Sequence, residues 1–192
     1  MDFDANIALV AIGPFGAAAL APLIQRLARP FAGWILALVP AAAFLFLLSL
    51  LDTVAGGQRI EAAIGWVPDY GLELSFLVDG LSLTFALAIS GIGALVILYS
   101  GAYLKGHPHL GRFLSFLLAF TGAMLGLVTA DDSLLLFVFW ELTTVFSYLL
   151  IGHYHERKAS RRAAMQAIVV TTAGGLTMLV GVVLLGEAAG TY

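Results

Sequence analysis

Six long apolar runs decide what this chain can fold into. Each holds about 17–24 residues, the length that a helix rising about 1.5 Å per residue needs to cross a bilayer. The chain is 61% hydrophobic and 11% charged, whereas soluble domains are about 45–50% apolar and about 25% charged. We therefore predict an all-α membrane helix bundle of about six transmembrane helices, forming a single membrane domain over residues 1–192. The runs cover Ile7–Leu23, Trp34–Leu51, Leu81–Leu104, Phe113–Ala130, Leu134–Ile151 and Ala163–Leu185.

The basic residues alternate in phase with the six runs. Eight of the nine lie in the connections between runs one and two, three and four, and five and six. Only Arg59 lies in the opposite phase, where all but one of the acids outside the runs are found. The positive-inside rule predicts that the three basic connections are cytoplasmic and that both termini are outside. The net charge of −3 gives no indication of a nucleic acid partner.

The longest connection, residues 52–79, is predicted to form a small β-hairpin on the outer face. Leu72, Leu74 and Phe76 alternate with polar residues, which is the period of a strand. Residues 68–71, Pro-Asp-Tyr-Gly, are types that favour a turn. Asp79 then precedes the third run, where it fits either an N-cap or an acid at an outer ion mouth.

One ionisable side chain, Glu141, lies near the middle of an apolar run. A charge at that depth costs about 2.5–3.5 kcal/mol on insertion scales, so a carboxyl group there needs an explanation. On a helix Glu141, Thr144 and Tyr148 fall at i, i+3 and i+7 and share one face, which is expected to point into the bundle.

Two interpretations of Glu141 are compatible with the sequence. In the structural one it is permanently protonated and hydrogen-bonded, or held in a static ion pair. In the functional one it loads and releases a proton, and Thr144 and Tyr148 support it. No Lys, Arg or His lies inside any of the six runs. A counter-charge would therefore come from outside residues 1–192, or from a bound ion and water.

The four histidines give no indication of a metal site. They lie outside the apolar runs, and neither a cysteine nor an acid stands near them at metal-ligand spacing. We expect them to be solvated or interfacial. We likewise expect no cofactor, no bound metal and no catalytic residue of an enzyme. The four are His107, His109, His153 and His155.

Three segments resemble a known family of membrane proteins. They are Phe-Trp-Glu-Leu-Thr at 139–143 followed by Ser-Tyr-Leu-Leu-Ile-Gly at 147–152, Val-Asp-Gly-Leu-Ser at 78–82, and Gly-Ala-Met-Leu-Gly at 122–126 with Ala130-Asp131. The sequence is similar to the antiporter-like subunits shared by Mrp cation/proton antiporters and the proton-pumping arm of respiratory complex I. The first and third segments look most like the Mrp large subunit, of which this chain would be the N-terminal part.

The resemblance implies that Glu141 matches the family's essential membrane glutamate, which pairs with a lysine on a later helix. It further implies a secondary transporter subunit of a bacterial cell membrane, with the lipid bilayer, other membrane subunits, H⁺ and Na⁺ (or K⁺) as partners. Our first hypothesis is a Na⁺/H⁺ antiporter subunit. The alternatives are a proton-pumping subunit of a complex I-like or hydrogenase-linked enzyme, and a scaffold protein that transports nothing.

Overall fold

A computed structural model describes residues 3–67 and 72–189 of the chain. Within these residues, six of the helices are long and apolar enough to cross a membrane, and only the short α3 is not. The predicted six-helix membrane bundle is therefore confirmed. The elements are α1 (Phe3–Leu27), α2 (Ala32–Ser49), α3 (Leu51–Ala55), β1 (Ile60–Val67), β2 (Leu72–Val78), α4 (Gly80–Tyr103), α5 (Leu110–Thr129), α6 (Ser133–Ile151) and α7 (Lys158–Ala189).

The helices extend beyond the apolar runs at the basic end of the bundle. α5 already includes Arg112, and α7 begins at Lys158, so Arg161 and Arg162 are helical rather than part of a connection. Apolarity marks only the part of a helix inside hydrocarbon, whereas long basic side chains let the helix continue into the interface. α1 also continues through Pro14 and Pro22 without a break.

Glycines set how closely several helices approach. A Cβ on Gly33 of α2 would lie 2.8 Å from the Cα of Gly101 of α4, so these two backbones touch. The Gly122–Gly126 pair of α5 serves two partners: Gly122 packs against Phe15 of α1, and Gly126 against the ring of Phe139 on α6. The small-residue spacing thus predicts close approach correctly, but only the packing shows which helix fills each gap.

The predicted hairpin is confirmed as an antiparallel pair of β1 and β2, in which Ala62 faces Phe76 and Ile60 faces Val78. Its predicted turn, residues 68–71, lies outside the described residues. Phe76 and Val78 are fully buried against the ends of the helices. The backbone N–H of Asp131, in the α5–α6 turn, donates to the Ser75 carbonyl at 3.1 Å. The hairpin therefore lies over the end of the bundle that carries the acidic turn.

The three basic connections gather at the opposite end. Arg26 and Arg29 line one cleft together with Lys105 and His107. The Arg112 guanidinium, at the start of α5, donates to the His153 carbonyl after α6 at 3.3 Å. The charge asymmetry along the sequence is thus a charge difference between the two ends of the bundle. Which end faces the cytoplasm stays a prediction.

Candidate functional site

Glu141 lies in the middle of α6 and its carboxyl group faces α7. Asp132 fixes where α6 begins, because its Oδ1 accepts the N–H groups of Leu134 and Leu135 at 2.7 and 2.8 Å. From that start, Glu141 meets α7 at Gly175, and its Oε1 occupies the space that a Cβ on Gly175 would need. This Oε1 is buried and has no hydrogen-bond partner among the described residues. A carboxyl oxygen is therefore enclosed at membrane depth with its hydrogen-bonding capacity unused.

A cleft of about 470 Å³ lies between α5, α6 and α7, and Glu141 is not among the residues that line it. Trp140 and Gly174, the neighbours of Glu141 and Gly175 in the sequence, both line it. Most of its exposed lining is apolar, and the hydroxyls of Thr143 and Thr171 donate to carbonyls of their own helices. Five residues with hydroxyl groups line it: Thr143, Thr144, Ser147, Tyr148 and Thr171.

The predicted polar face is present, but its three residues do not all face the same part of the structure. Thr144 is buried and Tyr148 is half-buried, and both line the cleft. Glu141 itself turns toward Gly175 and does not line the cleft. Tyr148 also lines a second cleft, together with Arg112 and Arg161 at the basic end of the bundle. It therefore stands between the surroundings of Glu141 and the basic surface.

Asp79 caps α4. Its Oδ1 accepts the N–H of Leu81 at 3.0 Å, the N–H of Ser82 at 2.9 Å and the Ser82 hydroxyl at 3.0 Å. The Asp79 N–H donates back to the Ser82 hydroxyl at 2.7 Å, which completes a capping box. The Ser82 hydrogen bonds lower the pKa of Asp79 below its usual range. The cap is thus observed, and a role at an ion mouth stays a prediction.

The histidines are closer together than the sequence suggested. The ring of His153 lies 5.4 Å from that of His107, and the ring of His155 lies 5.8 Å from that of His109. His153 is only 5% exposed, and neither ring nitrogen has a hydrogen-bond partner in the described part of the chain. His153 is therefore not solvated, because Phe113 and Tyr154 pack edge-on against it, and the other expected position, at the membrane interface, stays a prediction.

Burial lowers the pKa of His153, and the nearby positive groups of His107 and Arg112 lower it further. A proton on this ring would have to be buried beside other positive charges. Within residues 3–67 and 72–189, no group of three or more His, Cys, Asp or Glu is arranged to hold a metal ion.

Gly175 belongs to the site, although the sequence did not single it out. Its signal was available, since Gly174 and Gly175 form a pair in the middle of the last run. Paired glycines there are expected to serve tight helix packing. Only the rotation of α7 against α6 shows that one of them faces a carboxyl group and the other does not.

Two family models match the chain. One, described as the N-terminus of chain 5 of NADH-ubiquinone oxidoreductase (complex I), matches residues 66–114. The other, described as the transmembrane region of NADH:quinone oxidoreductase and Mrp antiporters, matches residues 130–192 and so includes Glu141. The A1 subunit of a Na⁺/H⁺ antiporter from Staphylococcus aureus is 40% identical over 178 residues, or 92% of this chain.

The chain belongs to the antiporter-like family shared by Mrp antiporters and complex I. It is a homologue of the large Mrp subunit, and it spans 22% of the length of the Staphylococcus aureus relative. As a member of this family it is a multi-pass membrane protein, consistent with its six long apolar helices.

Solved structures of the antiporter-like family share the fold. A chain of the Mrp complex from Dietzia sp. DQ12-45-1b superposes with a TM-score of 0.84 at 35% identity, covering 97% of this chain and 20% of that one. A chain of respiratory complex I from Thermus thermophilus superposes with a TM-score of 0.77 at 27% identity, covering 96% of this chain and 36% of that one.

Proposed function

We propose that this chain is a membrane subunit, or part of one, of a multisubunit Na⁺/H⁺ antiporter, and that Glu141 takes up and releases the translocated proton. The observation that carries the proposal is the buried Oε1 of Glu141, which lies against Gly175 of α7 and has no hydrogen-bond partner among the described residues. The name of the Staphylococcus aureus relative supports Na⁺ and H⁺ as the exchanged ions.

A carboxylate enclosed between two helices needs water or a cation as a partner, because an unpaired charge is costly at membrane depth. In the proposed mechanism, a cation or water that reaches Glu141 supplies this partner as the proton leaves. Proton release is then coupled to the arrival of the cation.

Everted membrane vesicles from cells that make the complete complex provide the test. Glu141→Gln keeps the size of the side chain but cannot ionise, so Na⁺-driven collapse of a preformed pH gradient should fall to background. Glu141→Asp should keep part of the activity. Glu156→Gln removes an exposed acid from the α6–α7 connection and should leave transport unchanged. Full activity of Glu141→Gln, at verified expression, would remove Glu141 from the mechanism and favour a scaffold.

We further propose that the basic end of the bundle faces the bacterial cytoplasm and that both termini lie outside. The sequence has no cysteine, so single-cysteine variants can be labelled without background from this chain. A membrane-impermeant maleimide on intact cells should label Gln58→Cys, near the hairpin, and leave Glu156→Cys unlabelled. The reverse pattern would invert the topology.

The second candidate is a proton-pumping subunit of a redox-driven, complex I-like enzyme. The family models and the Thermus thermophilus neighbour favour it, because both include complex I subunits. The partners that co-purify separate the two candidates. Small Mrp subunits would support the antiporter, whereas flavin- or quinone-binding subunits, with pumping independent of Na⁺, would support the redox enzyme.

A further inference from the structure

We propose that the cleft at the basic ends of α5, α6 and α7 binds the phosphate group of an anionic phospholipid. The cleft has a volume of about 280 Å³. Arg112 comes from α5, Arg161 from α7, and His155 from the connection between α6 and α7. Three parts of the chain therefore bring positive or hydrogen-bonding groups to one place.

The two guanidinium groups of this cleft contact carbonyls and a ring rather than carboxylates. Arg112 contacts the His153 carbonyl at 3.3 Å and the His155 ring at 3.2 Å, and its buried Nε has no acceptor among the described residues. Arg161 contacts the backbone carbonyls of His155 and Glu156 at 2.5 and 3.2 Å. In the described part of the chain, no acidic side chain lines the cleft. The cleft therefore offers hydrogen-bond donors and positive charge that no acidic side chain neutralises, and an anion could accept from these donors.

The rest of the lining indicates a lipid rather than a free ion. Phe116, Leu149 and Met165 lie on the same cleft, one from each of the three long helices. All three follow the basic groups into the apolar part of the bundle, where acyl chains begin. A site with a cationic end and an apolar wall matches a phospholipid, and basic clefts between transmembrane helices are a known mode of headgroup recognition.

The position of the cleft along the helices also agrees with binding of a lipid headgroup. α6 ends at Ile151 and α7 begins at Lys158, so the cleft lies where the spanning helices leave the hydrocarbon. Basic side chains at helix ends reach the headgroup level, which is where lipid phosphates lie. Tyr148 lines this cleft and also the larger one that Thr144 and Thr171 line.

Native mass spectrometry of the protein, reconstituted in phosphatidylcholine nanodiscs doped with phosphatidylglycerol, tests the proposal. Phosphatidylglycerol should remain bound to the wild type after release from the disc. Arg161→Gln should lower its retention about tenfold, the factor expected for losing one hydrogen bond to a charged group. Arg162→Gln is the matched control. It removes the same charge at the next residue, whose side chain does not line the cleft.

Each outcome decides for or against the lipid site. Equal losses in Arg161→Gln and Arg162→Gln would show unspecific attraction to the surface and overturn the site. Undiminished retention in Arg161→Gln would overturn it as well. Because Arg161 also donates to the His155 and Glu156 carbonyls, the unfolding midpoint of the variant is measured beside its lipid retention, and a loss of retention counts for the site only at an unchanged midpoint. Displacement of phosphatidylglycerol by millimolar inorganic phosphate as effectively as by added phosphatidylglycerol would show that a free anion, not a lipid, is recognised.

Discussion

The carboxyl group of Glu141 on α6 lies against Gly175 on α7, in the space that any larger residue would fill. Because Gly175 has no side chain, the carboxyl group of Glu141 fills the gap between the backbones of α6 and α7. Gly175 is buried, whereas the adjacent Gly174 has no heavy atom near its missing Cβ. One glycine of the pair thus contacts the candidate proton site and the other does not.

Replacing Gly175 with alanine should displace the Glu141 carboxyl group and impair transport. The Oε1 that would clash is the end of a flexible side chain and can turn away at little cost in stability, so we expect the loss in the Na⁺-driven pH change of vesicles rather than in the unfolding midpoint. Gly174→Ala is the control and should transport normally. Combining Gly175→Ala with Glu141→Asp, whose side chain is shorter, should recover part of the loss. Equal activity of the two alanine variants would contradict this placement.

Replacing Gly33 with alanine should destabilise the bundle without changing the surroundings of Glu141. Its Cβ would lie 2.8 Å from the backbone of Gly101, so α2 and α4 would have to move apart. We expect a loss of about 1–3 kcal/mol, measured as a lower midpoint of thermal unfolding in detergent. Gly16→Ala in α1 meets nothing within 4 Å and should keep or slightly raise the midpoint, because alanine favours a helix more than glycine does. A similar drop for both variants would mean that the helix crossing is not responsible.

Asp79 should contribute to stability through its cap. Asp79→Ala should cost about 1 kcal/mol, whereas Asp79→Asn, which caps equally well, should cost little. Because the folded-state pKa of Asp79 is lowered from 3.8, its contribution is present above pH 3.8 and is lost as the pH falls through the folded pKa. Unfolding midpoints measured against pH should show this acid loss in the wild type and a smaller one in Asp79→Asn. Normal transport by Asp79→Asn would exclude an ionised acid at the ion mouth.

The His153 region should loosen in mild acid. The folded-state pKa of His153 is lowered from 6.5, so the folded state binds fewer protons than the unfolded one. Its stability is therefore full above pH 6.5 and declines as the pH falls from there toward the folded pKa. His107, His109, His155 and Arg112 face the same ring and oppose its protonation.

Amide hydrogen exchange in the α4–α5 and α6–α7 connections checks this pH dependence. Exchange should accelerate below pH 6.5 in the wild type and much less in His153→Gln. His109→Gln, which changes an outlying member of the cluster, should keep most of the acid response. If exchange accelerates as strongly below pH 6.5 in His153→Gln as in the wild type, the pH dependence comes from the other histidines.

Much of the candidate site was predictable because the relevant signals are local. Glu141 is conspicuous since an acid in the middle of an apolar run is energetically costly, and Thr144 and Tyr148 follow from the spacing of a helix. The Asp79 cap and the period of β2 likewise depend on neighbours in the sequence. α3 was not predicted, because five residues after a long helix give no periodic pattern of their own.

The contacts between helices could not be predicted in the same way. The fit between the two helix surfaces decides which face of α7 meets α6. It therefore also decides that Gly175, rather than Gly174, lies against the carboxyl group of Glu141. The same holds for His153, whose burial requires the α4–α5 and α6–α7 connections to meet. The Arg112 contact to the His153 carbonyl joins those two parts of the chain only in the folded protein.

The sequence by itself determined that this chain has six segments able to cross a membrane, basic residues in alternate connections and one acid at mid-depth. Hydrophobic length and charge decide those features one segment at a time, whatever the neighbours do. Only the tertiary structure decided that Glu141 faces Gly175, and that Arg112, His155 and Arg161 line one cleft. The physical reason is that packing between helices depends on shape, and the residues that meet are far apart in the chain.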